Sequence, residues 1–382
     1  SMEQALCVPG HAILQDRTPT DIEPKVGQLG GMTTLFPDHL APLPFDPFAG
    51  AFWILSRAEE LGSIKRDHHD RPATQALHAS RHGYLHRPVV DEWALWLAEC
   101  WRKIDPRVPP VNREYRHWAT LDVDNGFKYL GRPLWRTVGS AARDLLHARW
   151  SEFRDRSQVL LGRRNDPYDV YDDLRTMVKG NVDVTLVSFL MRGWGKYDHA
   201  VADAHPLMRE RMKEIASWAE VAIHPSYHAS DREGVTAREL ARLEKIVGRN
   251  VSHSRQHFLR THMPRTYREL VSLGITDEHS MGMADAIGFR AGTCTSFPFY
   301  DLEKERETGL IIHPFMVMDS ALAYKLRLSP EDALSRSKEL IDRVKAVKGT
   351  CVGVRDERVI ADHGSDRGWR KTVQDIITYA AP

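Results

Sequence analysis

From residue 117 onward, short apolar runs alternate with stretches of helical periodicity, and this alternation limits the fold more than any other feature. Strand candidates lie at 117–124, 182–191, 220–224, 251–257, 278–282, 309–317 and 350–354. Helical stretches at 134–148, 169–179, 207–218, 236–247, 264–273, 330–346 and 368–380 interleave with them. Strand-helix alternation argues for parallel β/α construction. Seven strand candidates spread over about 270 residues fit a barrel better than a small open sheet.

The first hundred residues have a different character. Residues 1 to 45 are rich in Pro and Gly with little periodicity. Asp46 and Pro47 then read as N-cap and first helical position of an apolar helix through Phe52, Trp53, Ile54 and Leu55. A polar loop over 63–88 precedes a helix over 89–104. Asp105-Pro106-Arg107-Val108-Pro109-Pro110 cannot continue it. The expectation is a smaller α+β N-terminal domain (1–112) before a β/α domain (113–382). The spacing of His78, His82 and His86 suggests a helical metal stripe, but Gly83 lies inside it and no carboxylate accompanies it. These histidines, like His68 and His69, are expected on a solvated loop.

Basic and acidic residues balance at 53 to 52, for a net charge of +1. Neither nucleic acid nor a membrane surface is the expected partner, because both usually select a basic excess. No apolar run approaches the ~20 residues of a membrane span. The chain opens without a charged segment followed by an apolar one, and Cys7, Cys100, Cys294 and Cys351 are scattered without a CxxC pair. A reducing, cytoplasmic setting is expected.

Chemistry concentrates at strand ends. In Thr120-Leu121-Asp122-Val123-Asp124-Asn125, alternation on a strand points Asp122 and Asp124 the same way. Two like charges side by side need a cation, a shared proton or plain solvation. A second cluster, Ile223-His224-Pro225-Ser226-Tyr227-His228, ends the third strand candidate. Pro225 suits the first turn of a helix, which would bring His224 and His228 to one face. Two imidazoles and one carboxylate suit zinc or a similar divalent ion with a position open for water. Arg255, in Ser254-Arg255-Gln256-His257, is either a surface charge or a guanidinium that keeps a neighbouring carboxylate ionised. Arg290, in the Gly288–Thr293 loop, carries the same two readings. His313 and Asp319, around the strand at 309–317, either line the site or fill ordinary core and loop positions.

Together these residues resemble the polysaccharide deacetylase (NodB-homology) family of carbohydrate esterases. The resemblance covers roughly 117–382. It implies a distorted (β/α)7 barrel that removes N- or O-acetyl groups from sugars with one divalent ion, zinc first and cobalt, nickel or manganese as alternatives. Thr120–Asn125 is similar to the family's first motif, which makes Asp122 the implied base and Asp124 a metal ligand. His224, Ser226 and His228 match its second motif and imply the other two ligands. Ser254-Arg255-Gln256-His257-Phe258 stands where the third motif begins with Arg, without the prolines that usually follow.

The sequence departs from the family at the end. The last strand runs Cys351-Val352-Gly353-Val354-Arg355-Asp356-Glu357 and is not followed by the histidine that would serve as general acid. Asp356, His257 or His313 must supply the proton, or activity is altered. Residues 1–112 look like the extension of one bacterial branch of the family, an accessory domain to which the resemblance assigns no role. The expectation is a sugar deacetylase with Asp122, Arg255 and Asp356 catalytic. Asp124, His224 and His228 hold the metal, and His257, Arg290, His313 and Asp319 contact the acetylated sugar. The alternatives are a catalytically impaired metal- and carbohydrate-binding protein, or an amidohydrolase of a small non-sugar amide. Nothing in the sequence fixes the oligomeric state.

Overall fold

The computed structural model describes residues 8, 10–14, 21–38, 41–191 and 195–382, so Cys7 lies outside the described residues. Near the N-terminus, β1 (Val26–Leu29) and β2 (Met32–Leu35) form an antiparallel hairpin. Gly30 and Gly31 turn it, both at positive φ, a conformation that costs glycine nothing. The periodicity of this segment is too short to have marked it in the sequence. The helix Pro47–Leu55 starts where Asp46 caps it, accepting from the amides of Phe48 (3.0 Å) and Ala49 (2.9 Å).

The remaining strands are β3 (Arg116–Val123), β4 (Val184–Leu190), β5 (Glu220–His224), β6 (His253–Ser254), β7 (Asp277–Glu278), β8 (Phe297–Asp301), β9 (Arg306–Ile312), β10 (Val317–Met318) and β11 (Thr350–Asp356). They form one sheet in the order β10-β11-β3-β4-β5-β6-β7-β9-β8. Every pairing is parallel except β8 with β9. The strand β8 and the helix Trp150–Leu160 were not foreseen, and the expected run at 309–317 is divided between β9 and β10.

The two faces of the sheet are buried differently. Ala119, Leu121 and Val123 of β3 belong to the large apolar cluster shared with the surrounding helices. On the other face Trp118 packs with Val352 and Val354 of β11, Leu259, Phe315 and Met318. That inner face is covered by parts of the sheet itself and the loops that leave it. The link His313–Met316 joins β9 to β10, strands far apart in the sheet order. Along it, His313 N donates to Glu278 O of β7 (2.8 Å), Phe315 N to Met281 O (3.0 Å) and Met316 N to Val352 O of β11 (3.3 Å).

Residues up to Ile104 build an apolar cluster around Trp53, Trp93, Leu35 and Phe45, which Met283 joins from the rest of the chain. They dock on the segment 288–295. Phe289 N donates to Leu85 O (2.8 Å), Val90 N to Gly292 O (2.9 Å), and Asp91 accepts from Thr293 Oγ1 (2.8 Å) and Cys294 N (2.9 Å). Gly288 sits at φ 134° with Leu85 O 2.6 Å from where a Cβ would stand, so no larger residue fits. The Gly288–Thr293 loop is therefore a buried docking strip. Cys100, Cys294 and Cys351 are free thiols. Among the described residues, no helix is long and apolar enough to cross a membrane.

Candidate metal centre and cleft

The strand β3 delivers Asp122 on its inner face, and the chain turns immediately after Val123 to carry Asp124. This turn is held from the far end of the sheet. Glu357, directly after β11, accepts from the amides of Asn125 (2.5 Å) and Gly126 (3.1 Å). Burial, with the nearby charges of Asp356 and Asp124, pushes the Glu357 carboxyl up to about 8.

Asp124 Oδ1 lies 3.3 Å from His224 Nε2 and 3.6 Å from His257 Nε2. The other nitrogen of each ring is committed: His224 Nδ1 bonds Arg255 O (2.6 Å) and His257 Nδ1 bonds Asp198 Oδ1 (2.9 Å). A ring nitrogen that donates on one side presents a lone pair on the other. Three lone pairs thus converge, and Asp124 Oδ1 is buried with no hydrogen-bond partner. The donor set of one carboxylate and two imidazoles fits a divalent ion such as zinc. Burial lowers the His257 pKa, but Asp124 and Asp198 on either side outweigh it and raise the ring to about 9. Burial raises Asp124 likewise, and the two imidazoles win, holding it well below the usual carboxylate range.

His228 is not part of this group. Its side chain is half exposed and its Nδ1 faces Asp231 Oδ2 at 3.3 Å. The reason is local: Pro225–His228 forms an extended step and a turn, not a helical turn, so the four-residue spacing does not align the two rings. His257 takes the place expected of His228, carried there from the end of β6.

Arg255 is fully buried beside Asp122. Its Nη1 donates to Asp122 Oδ1 and Thr120 Oγ1 (both 2.8 Å) and its Nε to His279 O (3.0 Å). These contacts fix Asp122 two residues before Asp124.

A cleft of about 350 Å³ opens over these groups. Asp122, Asp124, His224 and His257 line it together with Gln256, Tyr324, Lys325, Asp356, Arg358, His69 and Arg71. Asp356 thus reaches the cleft, but it is occupied. It caps the helix Glu357–Ile360 through Arg358 N (2.9 Å) and pairs with the Arg358 guanidinium at 2.5 Å. His69 and Arg71 bring the N-terminal segment to the cleft, and His69 corrects the expectation that it is solvated. His69 is buried and bonds Tyr227 Oη (2.9 Å), while Arg71 donates to Phe258 O (2.9 Å). Burial, then the charge of Arg71, lowers the His69 pKa to about 4.

Three other expected contact residues lie away from the cleft. Arg290 is buried against Glu60, with Nε to Oε1 at 2.9 Å and Nη2 to Oε2 at 2.7 Å, and serves the docking of the N-terminal segment. His313 is held between Asp277 Oδ1 and Ser296 Oγ (both 2.7 Å), stacked on His279 and beside Trp118. Trp118 is four residues before Asp122 on the same strand, a distance of ~13 Å at the usual rise. Asp319 is buried outside the cleft lining and accepts from Asp356 N (3.1 Å), its carboxyl pushed up to about 8 by burial against the pull of Arg355.

Glu23, His78 and His82 also cluster closely. His78 is buried, not on a solvated loop, and both its nitrogens are taken by Tyr84 Oη (2.6 Å) and Pro24 O (3.0 Å). It is a satisfied core histidine.

Comparison with known proteins adds little to this geometry. Residues 1–106 match DUF7033, a family of unknown function. No curated protein matches the chain. Two solved structures with provisional polysaccharide-deacetylase descriptions are similar. The one from Mycobacterium smegmatis is 12% identical at a TM-score of 0.44, covering 70% of this chain and 86% of that one. The one from Pseudomonas aeruginosa PAO1 is 12% identical at 0.42, covering 71% and 88%. Likeness of this degree decides nothing about activity, which must be argued from the side chains.

Proposed function

We propose that the chain is a metal-dependent hydrolase that removes an acetyl group from an acetylated sugar, with a divalent ion at Asp124, His224 and His257. One observation carries the reading: three convergent lone pairs beside a second carboxylate, Asp122, that an arginine clamps in place. The hydrogen bonds from His313–Met316 to both β7 and β11 support a closed, distorted (β/α)7 barrel over residues 113–382. Residues 1–112 are then an accessory domain that completes one wall of the cleft.

A divalent ion, zinc before cobalt, nickel or manganese, would supply Lewis acidity and bring the pKa of a coordinated water toward neutrality. Asp122 accepts a proton from the attacking water as its oxygen bonds to the acyl carbon. When the C–N bond breaks, the proton goes from Asp122 to the departing nitrogen, leaving acetate and a free amine. Asp122 acts in both directions because Asp356 is committed to Arg358 and His257 to the ion. Arg255 holds the Asp122 carboxylate at the angle both transfers need. Gln256, Tyr324 and Lys325 provide hydrogen-bonding groups for sugar hydroxyls on the walls.

The commitment of Asp356 to Arg358 favours a second reading, a metal- and sugar-binding protein without turnover. Acetate release from a panel of N-acetylated and O-acetylated sugars by the zinc-loaded protein separates the two. Release that Asp122→Asn abolishes supports the enzyme. Sugar binding with no acetate from any member of the panel supports the binder.

A further inference from the structure

The helices Leu134–Leu146 and Trp150–Leu160 follow β3 and pack on each other, tied by Arg156 to Asp144 at 2.8 Å. An amphipathic helix normally turns its apolar stripe inward. The first helix does the reverse: Asp144 is its buried residue, while Leu134 (83% exposed), Trp135 (64%), Val138, Leu145 and Leu146 (84%) face solvent. Their spacing places them on one side of the helix. Trp150, at 65% exposed, continues the apolar surface onto the second helix. Apolar exposure on this scale marks an interaction surface.

Charge selects the partner. The chain as a whole carries a net charge of +1, but residues 132–164 hold eight arginines against Asp144, Glu152 and Asp155. All three acids are spent, on Arg156 (2.8 Å), Lys128 (2.9 Å) and Arg164 (2.6 Å). Among the described residues, Arg136, Arg143, Arg149, Arg154 and Arg163 have no carboxylate within ion-pair distance. Tryptophan and leucine on an amphipathic helix flanked by uncompensated arginines is the chemistry of a helix lying in an anionic bilayer surface. A second copy of the chain would instead bring the same unpaired arginines together, where like charges repel.

We propose that this helical pair docks the protein on an anionic lipid surface, its apolar stripe entering the headgroup boundary and its arginines meeting lipid phosphates. The overall balance of charge, which pointed away from membranes, hides this local excess. The docking does not depend on the deacetylase reading, and a failure of either leaves the other standing.

The test is co-sedimentation of the full chain with vesicles of phosphatidylcholine alone or mixed with phosphatidylglycerol. Binding is expected to the mixed vesicles, with little to phosphatidylcholine. The pair Trp135→Ser with Trp150→Ser, and separately Arg143→Glu with Arg149→Glu, should each weaken it by about tenfold or more. Circular dichroism and zinc content of both variants should match the wild type. Absence of binding to the mixed vesicles, or binding that neither variant weakens, overturns the proposal. So does a stable dimer in sedimentation velocity that the tryptophan variant dissociates, which would make the stripe an interface between copies.

Discussion

His257 Nε2 faces Asp124 Oδ1 at 3.6 Å across a buried gap, and His224 completes the triangle from the other side. This relationship moves the second imidazole of the candidate centre from His228 to His257, 29 residues further along the chain. The consequences for activity, metal affinity and stability follow from what each neighbouring residue touches.

In the proposed mechanism Asp122 carries the proton and is not a ligand. Asp122→Asn should keep zinc at the wild-type stoichiometry and lower kcat by roughly 10²–10⁴, the usual range for a general base. Single-turnover acetate release and metal analysis on the same sample check both halves.

Asp198 acts through His257 Nδ1. Asp198→Asn should weaken zinc affinity by roughly 10–100-fold, as loss of a partner behind a ligating imidazole does elsewhere. Competitive titration against a chromogenic chelator measures it. Unchanged affinity would mean that His257 is not a ligand.

Arg255 makes three contacts with one planar fork. Arg255→Lys keeps the charge but cannot bridge Asp122, Thr120 and the His279 carbonyl together. The expected result is a fall in kcat with KM and zinc content nearly unchanged, read from steady-state kinetics on any substrate found in the acetate screen.

Glu60 joins the N-terminal segment to the rest of the molecule. Burial raises its pKa, but Arg290 and Arg57 outweigh that and set it at about 2. A depressed carboxylate contributes its stability fully above its unfolded value near 4.5 and loses it as pH falls toward 2. The shift corresponds to roughly 3 kcal/mol. Glu60→Gln should therefore destabilise the protein by about 3–5 kcal/mol at pH 7, since the buried Arg290 guanidinium loses its carboxylate while Arg57 keeps only Glu59. The variant should also have a flatter dependence of stability on pH between about 4.5 and 2. Urea unfolding at a series of pH values reads both effects.

How far the sequence spoke for these features depends on distance along the chain. Asp122, Asp124 and His224 were legible because each ends an apolar strand, where period-two alternation tells which way a side chain points. Arg255 was legible for the same reason, one residue past β6. His228 stands apart from the group because the four-residue rule presumes a helix, and Pro225–His228 makes a turn instead. His257 was in view as a contact residue, but its role as ligand rests on Asp198, 59 residues away, which no local pattern announces. Arg290 meets Glu60 across 230 residues of chain, so its burial could not be read from its small-residue surroundings. The helical pair after β3 shows the converse case. Its first helix was expected at 134–148, yet periodicity says only that one face is apolar and not that the face turns outward.

Zinc titration of metal-free protein tests the central claim most directly, comparing wild type, His257→Ala and His228→Ala by calorimetry. One tight site is expected in the wild type, the same site in His228→Ala, and none in His257→Ala. Retained binding in His257→Ala together with loss in His228→Ala would contradict it.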